Sequence, residues 1–200
     1  MNPRKVLAVF ANPLGTVPLE LGTEVKAIVD AVKLSTKRAI EIDSLYAVTI
    51  DDLQNGLRNH QPAILHISAH GSENGLELQD EDGESKTVDP DRLAQQLTNY
   101  IPPLEGVVLN ACYSAVHLKA FETFDVPWLV AMEDQVSDEG AIAFAEMFYR
   151  TLGDGYDAER AYKEAIGNLE LKGISDYDII KLYDHRSAER KAADRAPKEE

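Results

Sequence analysis

Few residues in this chain could do covalent chemistry. It has one cysteine, Cys112, and five histidines. Ile64-Leu65-His66-Ile67-Ser68-Ala69 runs out into His70-Gly71, and Val107-Val108-Leu109-Asn110-Ala111 runs out into Cys112. A thiol and an imidazole that titrates near neutral pH are the minimum for acyl transfer through a covalent intermediate. Reactive side chains of open α/β sheets sit beyond the carboxyl ends of the strands. If these two runs are neighbouring strands, His70 and Cys112 meet. Gly71 permits a close backbone approach, so its N–H and that of Cys112 could cradle a developing oxyanion. A helix following Ser114 would favour a thiolate at Cys112 through its dipole. The competing reading is packing, because free cysteine is among the most buried residue types.

Other chemistries find less support. On a strand, His66 and His70 stand roughly 13 Å apart, too far to share one ion. His66 is therefore expected to be a hydrogen-bonded core residue, and His60, before Gln61-Pro62, a surface one. Gly71-Ser72-Glu73-Asn74-Gly75 lacks the lysine and spacing of a phosphate loop, and no serine sits in a Gly-x-Ser-x-Gly elbow. No metal and no cofactor are expected.

The elements that would position His70 and Cys112 alternate along the chain. Val6–Phe10, Ile40–Leu45, Ile64–Ser68, Val107–Leu109, Trp128–Met132 and Ile179–Tyr183 read as strands, several apolar on both faces. That pattern suits a mostly parallel sheet covered by helices on each side. Leu21, Val25, Ile28 and Val32 mark one helix face; Thr49-x-x-Asp52 resembles a capping box, and Asp89-Pro90 opens a third helix. A short helix is expected from Ser114 through Val116, Leu118 and Phe121. A buried one is expected over Ala141–Leu152, stopped by Gly153, and another from Ala158 to Leu169. Gly75–Val88, with its Asp82-Gly83 turn, reads as a small hairpin. The predicted architecture is a three-layer α/β/α sandwich with about six central strands. It occupies residues 1–183, followed by a charged tail at 184–200 with nothing large and apolar to bury.

Thirty-five acidic residues against twenty basic leave a formal charge of −15. That argues against a grip on nucleic acid or anionic lipid, each of which needs a basic face. No apolar run approaches the roughly 20 residues that span a bilayer. The N-terminal segment reads as neither leader nor anchor, and a lone cysteine suits a reducing compartment. The expectation is a soluble, cytoplasmic protein with no membrane partner.

The run His66-Ile67-Ser68-Ala69-His70-Gly71, followed 42 residues after His70 by Leu109-Asn110-Ala111-Cys112-Tyr113-Ser114, resembles the CHAT family of caspase-like cysteine peptidases. Phe10-Ala11-Asn12-Pro13 with Leu19-x-Leu21, the Ala141–Tyr149 segment, and Gly155 with Ala161-Tyr162 extend the likeness over residues 5 to 183. The resemblance implies a caspase-like sandwich and cleavage of a peptide bond in a protein substrate. It implies Cys112 as nucleophile, His70 as proton-transfer residue, and oxyanion N–H groups from Gly71 and Cys112. Asn110, two before the cysteine, would help line the substrate pocket. Metacaspases have aspartate at that position, so any charge preference needs another source; Asp134 and Asp138 are the nearest candidates by sequence order. Ser137 or Asp138 capping the following helix is the plainer role. The resemblance also implies an activating or adaptor protein and a part in bacterial defence or programmed cell death. A catalytically silent interaction module is the alternative. The acidic balance favours cleavage after a basic or long neutral residue over aspartate.

Overall fold

The computed structural model describes residues 3–99, 104–117, 119, 121 and 126–186. In chain order the elements are β1 (Arg4–Phe10), α1 (Leu21–Leu34), β2 (Ile40–Tyr46), α2 (Ile50–His60), β3 (Ile64–Ser68), β4 (His70–Ser72), β5 (Gly75–Gln79), β6 (Ser85–Val88) and α3 (Pro90–Thr98). Then follow β7 (Gly106–Asn110), β8 (Trp128–Met132), α4 (Asp138–Gly153), α5 (Ala158–Lys172) and β9 (Ile180–Asp184).

The helices begin where local chemistry can satisfy their free N–H groups. Thr49 and Asp52 form a reciprocal capping box on α2, and Asp89 caps α3 ahead of Pro90. Asp157 caps α5, which ends at Gly173 in a left-handed turn. Ser137 caps α4: its hydroxyl accepts the Gly140 N–H at 3.0 Å and donates to Asp176 at 2.6 Å.

The central sheet has the order β2-β1-β3-β7-β8-β9. All neighbours are parallel except β9, which runs antiparallel to β8. The expected strands are all present; the last spans Ile180–Asp184, one residue later than predicted. The predicted hairpin is β5–β6, and β4 adds a third antiparallel strand beginning at His70 itself.

Side-chain alternation sorts the core into two layers. Even-numbered residues of β1, β3, β7 and β8, such as Phe10, Ile64, Val108 and Val130, pack with α1, α4 and α5. Odd-numbered ones, such as Leu7, Leu65, Leu109 and Leu129, pack with α2, α3 and the small sheet. The result is the three-layer sandwich that the alternation of elements predicts.

After Cys112 the chain enters a 3-10 turn, Ser114–His117, and the described residues Lys119 and Phe121 beyond it are helical. Leu118 lies outside the described residues. The charged tail expected at 184–200 also lies mostly outside the described residues, although Asp184 ends β9 and pairs with Arg186 at 2.7 Å.

Phe148 is fully buried between Phe144, Tyr149 and Trp128. Phe148→Ala should cost about 3–5 kcal/mol of unfolding free energy in urea titrations. Leu171→Ala, on a side chain that is 91% exposed, should stay within about 0.5 kcal/mol of wild type.

Candidate active site

The same alternation turns three polar residues toward α1: His66 and Ser68 on β3, and Asn110 on β7. Ser68 and Asn110 stand in register across the parallel pair. Glu24 of α1, only 3% exposed, meets all three. Its carboxylate accepts the Ser68 hydroxyl at 2.6 Å, the Asn110 side-chain amide at 2.6 Å and the His66 Nε2–H at 3.0 Å. A buried carboxylate requires such donors, because leaving it unsatisfied costs several kcal/mol.

The network continues into α4, where the Tyr149 hydroxyl lies 2.9 Å from His66 Nδ1. Glu24 accepts at Nε2, so Nδ1 of a neutral ring accepts the Tyr149 O–H. An imidazolium would leave that buried hydroxyl with no acceptor. His66 is thus the hydrogen-bonded core histidine expected. His60 lies partly exposed at the surface, as expected, with Nδ1 2.8 Å from Asp43.

Two residues further along each strand stand His70 and Cys112. His70 Nε2 lies 2.8 Å from the Val17 carbonyl in the loop between β1 and α1. A carbonyl only accepts, so Nε2 carries the ring proton and Nδ1 is left as the basic nitrogen. A Cβ at Gly71 would stand 2.2 Å from the Cys112 carbonyl oxygen. Only glycine lets β4 lie this close to the cysteine loop. Tyr113 adopts a left-handed conformation with φ of 57°, which turns the chain sharply just after Cys112. The buried Ser114 hydroxyl donates to the Leu109 carbonyl at 3.1 Å and accepts the Met132 N–H at 2.9 Å. Among the described residues no acceptor engages the Cys112 N–H.

His70, Cys112, Asn110, Glu24 and Asp138 line one cleft, walled by apolar residues such as Leu19 and Ile142. Asp138 is the first residue of α4 and Ser137 is its cap. Asp134 does not line the cleft. It is exposed, and its carboxylate accepts the Gln135 N–H at 2.7 Å and bonds Tyr113, whose phenol it holds above the ordinary value. Among the described residues no group of three or more metal-ligating side chains stands together. No helix there is long and apolar enough to cross a membrane.

Glu24 escapes a reading of α1 by its aliphatic residues. Leu21, Val25 and Val32 are only partly buried, while Glu24, Ile28 and Ala31 form the deepest stripe. The available signal is that His66, Ser68 and Asn110 interrupt strands otherwise apolar on both faces. Such residues call for a polar partner from the covering helix.

A histidine and a cysteine follow the ends of adjacent parallel strands within a three-layer sandwich. The model of the CHAT domain matches residues 2–170, and the chain belongs to the CHAT domain family. It is 27% identical over 178 residues to a Roc-COR-CHAT protease from an unknown prokaryotic organism, covering 84% of this chain and 17% of that protein's length. Two solved structures share the fold. A secreted C11 cysteine protease from Bacteroides thetaiotaomicron, solved in complex with an irreversible peptide inhibitor, gives a TM-score of 0.66 at 10% identity, covering 92% of this chain and 67% of its own. Caspase-1 from Spodoptera frugiperda gives 0.57 at 10% identity, covering 92% and 87%.

Two measurements check this geometry. In nitrogen-15 spectra of histidine-labelled protein at about pH 8, above the ordinary imidazole range, His70 should be protonated at Nε2 and not at Nδ1. Burial, and then the Glu24 charge, hold the Tyr149 phenol well above its ordinary value. Its folded-state pKa exceeds that of the unfolded chain, so its contribution is complete below about pH 10 and is lost as pH rises further. Unfolding free energy should therefore fall above about pH 10, with a shallower slope in Tyr149→Phe.

Proposed function

We propose that this chain is a cysteine endopeptidase domain acting through a Cys112–His70 dyad. The observation that carries the reading is the Val17 carbonyl on His70 Nε2, which leaves Nδ1 as a base in the cleft that Cys112 also lines. His70 takes the thiol proton, and the thiolate attacks the peptide carbonyl carbon. The developing oxyanion is met by the Cys112 and Gly71 N–H groups. As the C–N bond breaks, His70 returns the proton to the departing amine. Water, deprotonated by His70, then hydrolyses the thioester and frees the acid and the thiol.

Asn110 and Asp138 line the space that the substrate side chain would enter, and Asp134 would act from outside it. The substrate is a protein or peptide, in keeping with the relatives' names. A partner that switches the domain on, and a role in bacterial defence or programmed cell death, complete the reading. The charge of −15 and the single thiol fit a cytoplasmic setting without nucleic-acid or membrane contact.

An irreversible peptidyl ketone probe should label Cys112, as located by mass spectrometry of the digested protein. Cys112→Ala should abolish labelling, and His70→Ala should slow it by about a thousandfold or more. Both variants should unfold at the wild-type temperature. Labelling that persists in Cys112→Ala, or is unaffected in His70→Ala, would sink the assignment.

A further inference from the structure

We propose that β6, the outer strand of the small sheet, is a docking edge for an extended, basic segment of a partner protein. The small sheet begins at His70, which stands in register with Glu77 of β5. The partner is named here by its chemistry, and the surface does not depend on the peptidase reading. β6 has β5 on one side alone. Among the described residues, no backbone group of Ser85–Val88 bonds to any strand or loop other than β5. An antiparallel strand directs about half of its N–H and C=O groups to each side, so the outer set of β6 is open to another strand. Ser85, Lys86 and Thr87 are exposed along it.

Charge settles what can pair there. Residues 73–91 hold eight acidic side chains against one basic, Lys86, and so −7 of the chain's −15. None of the ion pairs among the described residues involves this segment. The outer strands of the central sheet differ: Asp43 of β2 lies 2.8 Å from His60, and Lys181 of β9 lies 3.8 Å from Glu133. Carboxylates stand at both ends of β6, with Glu81, Asp82 and Glu84 before it and Asp89 and Asp91 after it. Between them, Ser85 and Thr87 donate their hydroxyls to Glu77 across the β5–β6 pair. Those donors are neutral, so the charge of Glu77 is not cancelled.

A second copy of this chain is a poor occupant. It would bring the same −7 to the edge, and like charges on paired strands oppose each other. An entering strand with lysine or arginine at alternate positions and at both ends would meet carboxylates instead. In such strand addition the main-chain bonds supply affinity and the side chains supply specificity.

The test is a titration of the nitrogen-15-labelled full chain with end-blocked peptides of about ten residues, in which threonine alternates with lysine or with glutamate. The salt is held at about 0.1 M, where exposed charges beyond roughly 10 Å are screened. The lysine peptide should shift the β5 and β6 amide resonances and slow hydrogen exchange at those amides of Ser85–Val88 that do not face β5. The glutamate peptide should bind at least about a hundredfold more weakly. A lysine peptide N-methylated at every residue through its centre keeps the charge and loses main-chain donors; it should bind at least about tenfold more weakly than its parent. Glu81→Gln, Asp82→Asn and Glu84→Gln together, all on exposed side chains, should weaken the lysine peptide by about tenfold at an unchanged unfolding temperature. No binding of the lysine peptide, equal binding of the glutamate peptide, or full affinity in the triple variant would overturn the proposal. Equal binding of the N-methylated peptide would overturn it too, since charge attraction without strand pairing would then be the whole effect. Failure to label Cys112 with the ketone probe would remove the peptidase reading and leave these ratios intact.

Discussion

A carboxylate sealed beneath the ends of two strands organises the site. Glu24 cannot be solvated by water where it sits, so donors from the protein must surround it. They come from β3 through His66 and Ser68 and from β7 through Asn110, and His66 hands the connection on to Tyr149 of α4. The requirement fixes α1, α4 and the two strands in one mutual arrangement, as loose apolar packing would not. His70 and Cys112 each follow two residues after a Glu24 partner, Ser68 and Asn110, so the network sets their relative height.

Above the network, backbone positions the reactive pair more than side chains do. The Val17 carbonyl orients the His70 ring, and the missing side chain of Gly71 allows β4 against the Cys112 carbonyl. Left-handed Tyr113 turns the chain away. Ladder pairing between β7 and β8 ends at Val108 and Val130. One hydroxyl, Ser114, then bridges the separating strands from Leu109 to Met132. The carboxyl ends of parallel strands are where an open sheet can receive a ligand.

The acidity of the chain is spread over several tasks. Asp52, Asp89 and Asp157 satisfy helix N-termini, and Asp134 serves the turn beside Tyr113. Glu20, Glu24 and Asp138 line the cleft. Net charge therefore says little about the pocket, since a carboxylate acts over a distance set by its burial and screening.

By itself the sequence determined the layers and the strand ends. Apolar alternation placed Ile64–Ser68 and the Val107–Leu109 run inside a covered sheet, and the runs led out to His70 and Cys112. Local signals of this kind, with a period of two or 3.6 residues, are written in adjacent residues. The tertiary structure alone decided that β3 and β7 are neighbours, that Glu24 reaches across from a helix 86 residues before Asn110, and that Val17 meets His70. It also decided that the segment after Cys112 opens in a 3-10 turn and that Asp138, and not Asp134, lines the cleft. Those outcomes depend on contacts between distant residues, where the cost of a buried polar atom selects the partner. No short window of sequence contains both halves of such a contact.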